Sequence, residues 1–455
     1  MINWQANVLP KQFNHRLNRL KKPINPPLIL TCGFIVLIVL GTGLLLLPIA
    51  SVQPLTFMQA LFTASSAVTV TGLVVVDTGT VLTTFGQSVV MVLIQIGGIG
   101  FMTLAVISFL TMGKNLGLKQ RLLASQAFDT GDLNGVIHIA KCVVLYSLII
   151  EIIAFLLLFI NWIDKYSVTQ AAYHSLFYTI SAFNNAGFAL HSDSLIAFKG
   201  DAATNFIISG LFIVGGIGFT VLIDIYQQRR WSRLSTNTQL VLIATAIINS
   251  CAFLLIFLFE SSNPATLASL PFDEQILTAW FQAVTPRTAG FNTLNISELT
   301  ADSTLLMLLL MIIGGGSVST ASGIKIGTFI ILLLAMYSYL RQKPQVTVFN
   351  RQLSDKLVIK ALSVLVLYLF TAFLSIMVIS KIEQASLLDI TFETISALST
   401  VGLSRDFTST LSTPSQMVII LLMLIGRVGP LTFAYCFTKP KLQHLKFAKT
   451  TVQIG

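Results

Sequence analysis

Apolar runs of about 20 residues or more, long enough to cross hydrocarbon, lie near residues 28–50, 84–112, 139–161, 203–226, 238–260, 303–338, 357–380 and 415–438. They fall into four pairs. Between the members of each pair comes a shorter amphipathic stretch, at 55–68, 168–183, 272–285 and 387–398. Such stretches are too short to span and suit half-helices that enter the membrane and stop. The pattern predicts one unit of span, half-helix, loop and span used four times, as residues 28–112, 139–227, 238–340 and 357–438. Two full spans per unit keep all four in one orientation, so an axis along the membrane normal can relate them. The expected fold is an all-α membrane protein of eight transmembrane helices with pseudo-fourfold symmetry about a central pore.

Each half-helix runs into a related, mildly polar segment: Ser66-Ala-Val-Thr-Val-Thr-Gly-Leu73, Ser181-Ala-Phe-Asn-Asn-Ala-Gly-Phe188, Val284-Thr-Pro-Arg-Thr-Ala-Gly-Phe291 and Ser396-Ala-Leu-Ser-Thr-Val-Gly-Leu403. Aligned on the glycines, an aromatic precedes each by ten positions: Phe62, Phe177, Trp280 and Phe392. Hydrocarbon tolerates irregular backbone only where protein or a water-filled cavity surrounds it. Four such loops around one axis make a cation filter. Rings of backbone carbonyls replace an ion's hydration shell without a fixed charge to trap it. The half-helix C-termini add negative dipole ends, and glycine lets the backbone turn inward. The candidate carbonyl donors are Val70, Thr71 and Gly72; Asn185, Ala186 and Gly187; Thr288, Ala289 and Gly290; and Thr400, Val401 and Gly402. The bland alternative is four helix-breaking turns with no ion.

Composition agrees with the membrane reading. Of 455 residues 54% are hydrophobic and 10% charged, against roughly 25% charged in soluble proteins. The net charge of +10 does not point to nucleic acid, because Lys and Arg fall in alternate connections. They occupy residues 11–22, 114–141, 229–233, 341–360 and 439–449, whereas acids such as Asp77, Asp193, Glu298 and Asp389 occupy the others. This positive-inside pattern makes both termini cytoplasmic, with cytoplasmic tails at 1–27 and 439–455 and a cytoplasmic connection at 113–138. The first 27 residues carry no apolar core ending in a cleavage site, so no removable signal peptide is expected. Cys32, Cys142, Cys251 and Cys436 stand singly in apolar runs, and no transition-metal site is expected. No hydrolase, P-loop or dinucleotide motif is present, which argues against an enzyme.

A second repeat lies in the second span of each unit: Gln95-Ile-Gly-Gly-Ile-Gly-Phe101, Ile213-Val-Gly-Gly-Ile-Gly-Phe219, Ile312-Ile-Gly-Gly-Gly-Ser317 and Leu424-Ile-Gly-Arg-Val-Gly429. One copy alone reads as close helix packing; four copies at one position favour a pore-lining surface. Two cations interrupt apolar surroundings, where a charge is costly. Arg427 replaces the glycine of the other units. Lys325 ends a stretch rich in glycine, serine and threonine that opens with Gly314, Gly315, Gly316 and Ser317 and breaks the longest apolar run. That stretch is a poor helix and a candidate obstruction in the pore. The competing readings are a snorkelling anchor for Lys325 and a structural pairing for Arg427. His174 and Glu393 read as braces of the half-helices, Glu151 as an isolated acid, and Arg287 as a brace at the outer mouth.

These residues resemble the Trk/Ktr/HKT superfamily of potassium transporters, and within it the Ktr-type transmembrane subunit. The resemblance covers about residues 27–440 and rests on the four glycine loops, on Ser319-Thr-Ala-Ser-Gly-Ile-Lys325 and on Gly426-Arg-Val-Gly-Pro-Leu-Thr432. It implies potassium uptake across a bacterial cytoplasmic membrane through a single-file pore, with a sodium-permeable or sodium-coupled transporter as the alternative. It also implies a gating loop at about 314–325 with Arg427 as part of the gate, a homodimer of pores, and a separate cytosolic ring of nucleotide-binding subunits. It implies no organic cofactor.

Overall fold

A computed structural model describes residues 26–100, 103 and 135–437. The expected tails and most of the 113–138 connection lie outside these residues. Unit one comprises α1 (Pro26–Leu45), α2 (Phe57–Thr69) and α3 (Thr84–Ile99). Unit two comprises α4 (Gly135–Trp162), α5 (Val168–Phe183), α6 (Ala202–Ile217) and α7 (Phe219–Gln228). Unit three comprises α8 (Thr236–Glu260), α9 (Phe272–Val284), α10 (Ala301–Ile312) and α11 (Ile326–Leu340). Unit four comprises α12 (Asp355–Ile382), α13 (Leu387–Ser399), α14 (Thr413–Val428) and α15 (Pro430–Tyr435). A two-residue antiparallel pairing, β1 (Thr347–Val348) with β2 (Arg351–Gln352), lies between units three and four.

The opening helices α1, α4, α8 and α12 are the long apolar ones. They keep large apolar side chains on their outward faces, with Val39 61%, Ile160 67%, Leu258 64% and Phe373 62% exposed. A surface of that kind needs lipid against it. The half-helices α2, α5, α9 and α13 are the reverse. From Phe62 to Thr69 every residue of α2 is buried but none is charged. Their starts are capped: Thr56 Oγ1 accepts from the Gln59 amide while the Gln59 side chain accepts from the Thr56 amide, a reciprocal capping box. Ser167 and Ser386 cap α5 and α13 in the same way at one end. α9 begins after Pro271 with Asp273 and Glu274 in its first turn, where the helix dipole favours acids.

The second helix is broken in units two, three and four; in unit one its described part ends at Gly100, and residues 101–112 of the expected span, Thr103 apart, lie outside the described residues. Hydropathy near 203–226 predicts one span, but α6 and α7 meet at 92°. The break is at Gly218, with φ 112°. Gly100 and Gly429 end α3 and α14 with φ 91° and 92°, a region that residues with a β carbon avoid. In unit three the break lengthens into the irregular segment 313–325 between α10 and α11. Among the described residues four helices are long and apolar enough to cross a membrane, or five with α6 and α7 taken together. Hydropathy could not show this, because a glycine in a left-handed conformation stops a helix without making it less apolar.

The core is divided among the four junctions between units. Phe177 and Phe188 of unit two pack into the cluster of unit one. Phe281 and Phe291 of unit three pack into unit two, Phe392 and Leu403 of unit four into unit three, and Phe62 and Leu73 of unit one into unit four. The units therefore close into a ring in chain order. The repeated aromatics are its mortar, with Phe62, Phe177 and Phe392 essentially buried; Trp280 is partly buried and donates its indole N–H to Ser209 Oγ at 3.3 Å.

Candidate functional site

Each half-helix runs into its loop, and each loop passes through positive φ at the same two positions. The aligned glycines Gly72, Gly187, Gly290 and Gly402 all have positive φ, from 68° to 92°. So do the residues two positions earlier: Val70 at 56°, Asn185 at 59°, Thr288 at 74° and Thr400 at 50°. Three of these are β-branched, for which this region is strained by on the order of 1–3 kcal/mol each. Four equal departures at four equivalent positions require surroundings that enforce them. Hydroxyls at the half-helix ends provide part of this. Ser66 and Ser396 accept from the amides of Gly72 and Gly402 at 3.0 and 3.1 Å. Ser181 and Thr285 donate to the carbonyls of Phe188 and Phe291 at 2.8 and 2.5 Å.

The loops touch one another around the axis. A β carbon on Gly72 would collide with the Ala186 carbonyl, and one on Gly187 would stand 2.8 Å from the Gly290 Cα. One on Gly290 would stand 2.5 Å from the Val401 carbonyl, and one on Gly402 would collide with the Thr71 carbonyl. All twelve candidate filter residues named from the sequence are thereby brought into four neighbouring loops. Glycine is required at each aligned position by the close approach of the next loop.

Part of the second repeat has a different use from the one favoured by its recurrence. A β carbon on Gly97, Gly215 or Gly426 would strike the carbonyl of Val68, Phe183 or Leu398, each at the end of a half-helix. These glycines let the second helices press against the half-helices. Close packing is what they serve. Other residues of the same repeat, Gly98, Gly100 and Arg427, line the lower cavity.

The segment 313–325 lies beneath the ring. Its Gly316 amide donates to the Gly216 carbonyl at 2.7 Å, and the Phe219 amide donates to its Val318 carbonyl at 2.8 Å. It therefore lodges in the break between α6 and α7, with Ser317 beside Gly218. Thr320 Oγ1 donates to Asn185 Oδ1 at 2.9 Å, and Asn185 Nδ2 donates to Thr288 Oγ1 at 3.3 Å. The segment is thus coupled directly to the second and third loops. From unit four, the Arg427 guanidinium donates to the carbonyls of Thr320, Gly97 and Gly98, the last at 3.1 Å. Arg427 therefore bridges the segment to unit one. Lys325 Nζ donates to the Ala321 carbonyl at 2.6 Å and closes the segment on itself.

Two residues stand elsewhere than expected. Arg287 is not at the mouth: it donates to Asn249 Oδ1 at 2.8 Å and to the Gly314 carbonyl at 3.2 Å, under the third loop. The third loop's glycine follows a proline-containing turn in which Arg287 lies. Glu151 is not isolated, since both its oxygens accept from Gln95 Nε2 at 2.9 Å. Asn184 Nδ2 in turn donates to Gln95 Oε1 at 2.7 Å. Thr320 and Gln95 stand inside quoted stretches but were not singled out in the sequence, as neither residue recurs at the equivalent position of the other units. The serines six positions before the glycine, Ser66, Ser181 and Ser396, were visible there as a repeat.

Cavities open on both sides of the ring. The upper one, of about 460 Å³, is lined by the four glycines and by Asp77, Asp193 and Asp406. The lower one, of about 230 Å³, is lined by Gly98, Gly100, Ser319, Ser322, Lys325 and Arg427. Val318, Ser319, Ala321, Ser322 and Lys325 of the segment 313–325 form part of the wall of the lower cavity. Among the described residues no group of three or more His, Cys, Asp or Glu side chains could hold a metal.

Comparison with known proteins places this architecture. Residues 23–445 match the TrkH family, described as Cation transport protein. The chain is 47% identical over 430 residues to Ktr system potassium uptake protein B of Bacillus subtilis, covering 94% of this chain and 97% of that one. It is 40% identical to the protein of that name in Vibrio alginolyticus, over 94% of this chain and 95% of that one. It is 34% identical to Potassium/sodium uptake protein NtpJ of Enterococcus hirae, over 92% and 94%. The crystal structure of the potassium transporter TrkH from Vibrio parahaemolyticus shares the fold, with TM-score 0.73 and 19% identity over 92% of this chain and 86% of that one. A helical membrane protein whose whole length carries this fold is a transporter rather than an enzyme, and the chain belongs to the TrkH family of cation transport proteins.

Proposed function

We propose that this protein takes up potassium across a bacterial cytoplasmic membrane through a channel-like pore on the axis of the four-loop ring. The observation that carries the proposal is the shared left-handed backbone of four loops that close on one another. In this reading the carbonyls of residues 70–72, 185–187, 288–290 and 400–402 replace the hydration shell of potassium. The half-helix C-termini favour a cation there, and the acid-lined upper cavity, facing outward, gathers cations. The segment 313–325, with Gly314, Gly315, Gly316, Ser317 and Lys325, is the gate, and Arg427 is its latch. Relatives named for potassium uptake support the choice of ion. The full arrangement is eight membrane segments with both termini cytoplasmic. It works as a homodimer with a separate cytosolic ring of nucleotide-binding subunits, which is what the resemblance to the Ktr-type subunit implies.

A second reading, sodium permeation or coupling, draws support from the Enterococcus hirae relative named for potassium and sodium. Rubidium uptake into proteoliposomes tests both, with potassium, sodium or lithium as competitor. Competition by potassium alone is expected. Equal competition by sodium establishes the second reading, and the absence of flux for every ion overturns both.

A further inference from the structure

Nine positions before each loop glycine stand Thr63, Tyr178, Phe281 and Glu393, all buried in the half-helices. In unit four, Ser404 and Thr408 both donate to Glu393 Oε1, Thr408 at 2.9 Å. Both donors belong to the segment that rises from Gly402 and lines the upper cavity. Glu393 Oε2 is buried without a hydrogen-bond partner, a costly arrangement for a side chain that only fills space. Unit two has a counterpart. The Tyr178 hydroxyl accepts from the amides of Leu190 and His191 at 3.2 Å each and meets His191 Nδ1 at 2.6 Å. There too a polar group on the half-helix holds the segment rising from the loop glycine. Phe281 has no polar atom, and Thr63 Oγ1 has no partner. Because the units close in chain order, two and four face each other across the axis. The braced pair is diagonal.

We propose that Glu393 is a positioning residue for ion discrimination, holding the fourth loop from above through Ser404 and Thr408 and so fixing the carbonyls of Val401 and Gly402. This rests on the reading of the loops as a filter. Tyr178 does the same for the second loop, so discrimination is set by two rigid loops facing each other, with the first and third lacking this tie.

The test is sodium competition against rubidium uptake by the full-length protein in proteoliposomes, normalised to folded protein. Glu393→Leu keeps the volume and removes the acceptor. It is expected to lower the preference for potassium over sodium roughly fivefold, the order of effect of one lost hydrogen-bond anchor. Glu393→Gln retains an acceptor oxygen and is expected to restore most of the preference. If Glu393→Leu does not fold, Ser404→Ala combined with Thr408→Val removes the same tie from the cavity side and is expected to lower the preference likewise. Wild-type preference in these variants overturns the inference, provided Gly402→Ser loses it. Should Gly402→Ser also keep its preference, the filter reading itself fails.

Discussion

The ring of glycine loops and the level just beneath it are built on opposite principles. Above, four segments with few identical residues share positive φ at the glycine and two positions before it. Below, where the second helices break, the units differ. Units two and four break at a single glycine and unit one's described helix ends at one, Gly100, whereas unit three inserts the segment 313–325. Unit four alone carries Arg427 where the others have glycine. A carbonyl ring around an ion needs equal contributions from all sides. An obstruction needs only one side. Under the proposed function, symmetry is retained where coordination of an ion would require it and is lost where a one-sided obstruction would suffice.

The comparison breaks most severely at the ring. A side chain on Gly72 would run into the Ala186 carbonyl and the Gly187 Cα. Gly72→Ser is expected to cost about tenfold in preference for potassium over sodium, equivalent to about 1.4 kcal/mol. Sodium competition against rubidium uptake measures it, and an unchanged preference would remove Gly72 from the filter.

Below the ring, alterations should change rate and spare discrimination. Deleting residues 314–316 withdraws the segment from the α6–α7 break and is expected to raise basal rubidium flux roughly tenfold, a barrier change of about 1.4 kcal/mol. Wild-type flux in the folded deletion would show that the segment is not the barrier. Arg427→Ala removes charged donors to Thr320 and Gly98. Such bonds are worth about 1.5–3 kcal/mol in general, but the segment keeps its contacts with unit two, so a gain of roughly threefold in maximal flux is expected. Selectivity should be unaltered. Lower flux per folded protein would make Arg427 a brace instead of a latch.

The smallest effect is expected at the rim, away from both levels. Asp201 caps α6 and accepts from Lys165 Nζ at 2.6 Å, Thr204 Oγ1 at 2.7 Å and Asn161 Nδ2 at 2.8 Å. Burial raises its carboxyl pKa, but the bonds from Lys165, Thr204 and Asn161 outweigh this and hold it at about 2. Since the folded value lies below the unfolded one, the stabilisation is present above about pH 4 and lost as pH falls toward 2. With Lys165 well exposed, Asp201→Asn should cost about 1 kcal/mol or less. Thermal unfolding of the purified variant is expected to show a small deficit at pH 7 that vanishes near pH 2, with flux and selectivity unchanged. A deficit that persists at pH 2 would assign the effect to the lost cap geometry.

The sequence by itself determined the class, the fourfold unit, the half-helices and the twelve loop residues. Hydropathy of about 20 residues, stretches too short to span, and a glycine recurring behind a half-helix are all local properties, and a chain in lipid has few ways to satisfy them. It also singled out Arg427 and the stretch after Gly314, because charge and glycine are conspicuous in an apolar run. Only the tertiary structure decided what these features touch. That Gly97, Gly215 and Gly426 serve packing depends on the carbonyls of Val68, Phe183 and Leu398, well beyond local range in sequence. That Arg287 lies beneath its loop is a pairing within unit three, whereas Glu151 meeting Gln95 and Arg427 joining Thr320 to Gly97 are pairings between units. The ring's closure in chain order brings residues hundreds of positions apart within hydrogen-bonding range, and no local pattern specifies which polar groups then find one another.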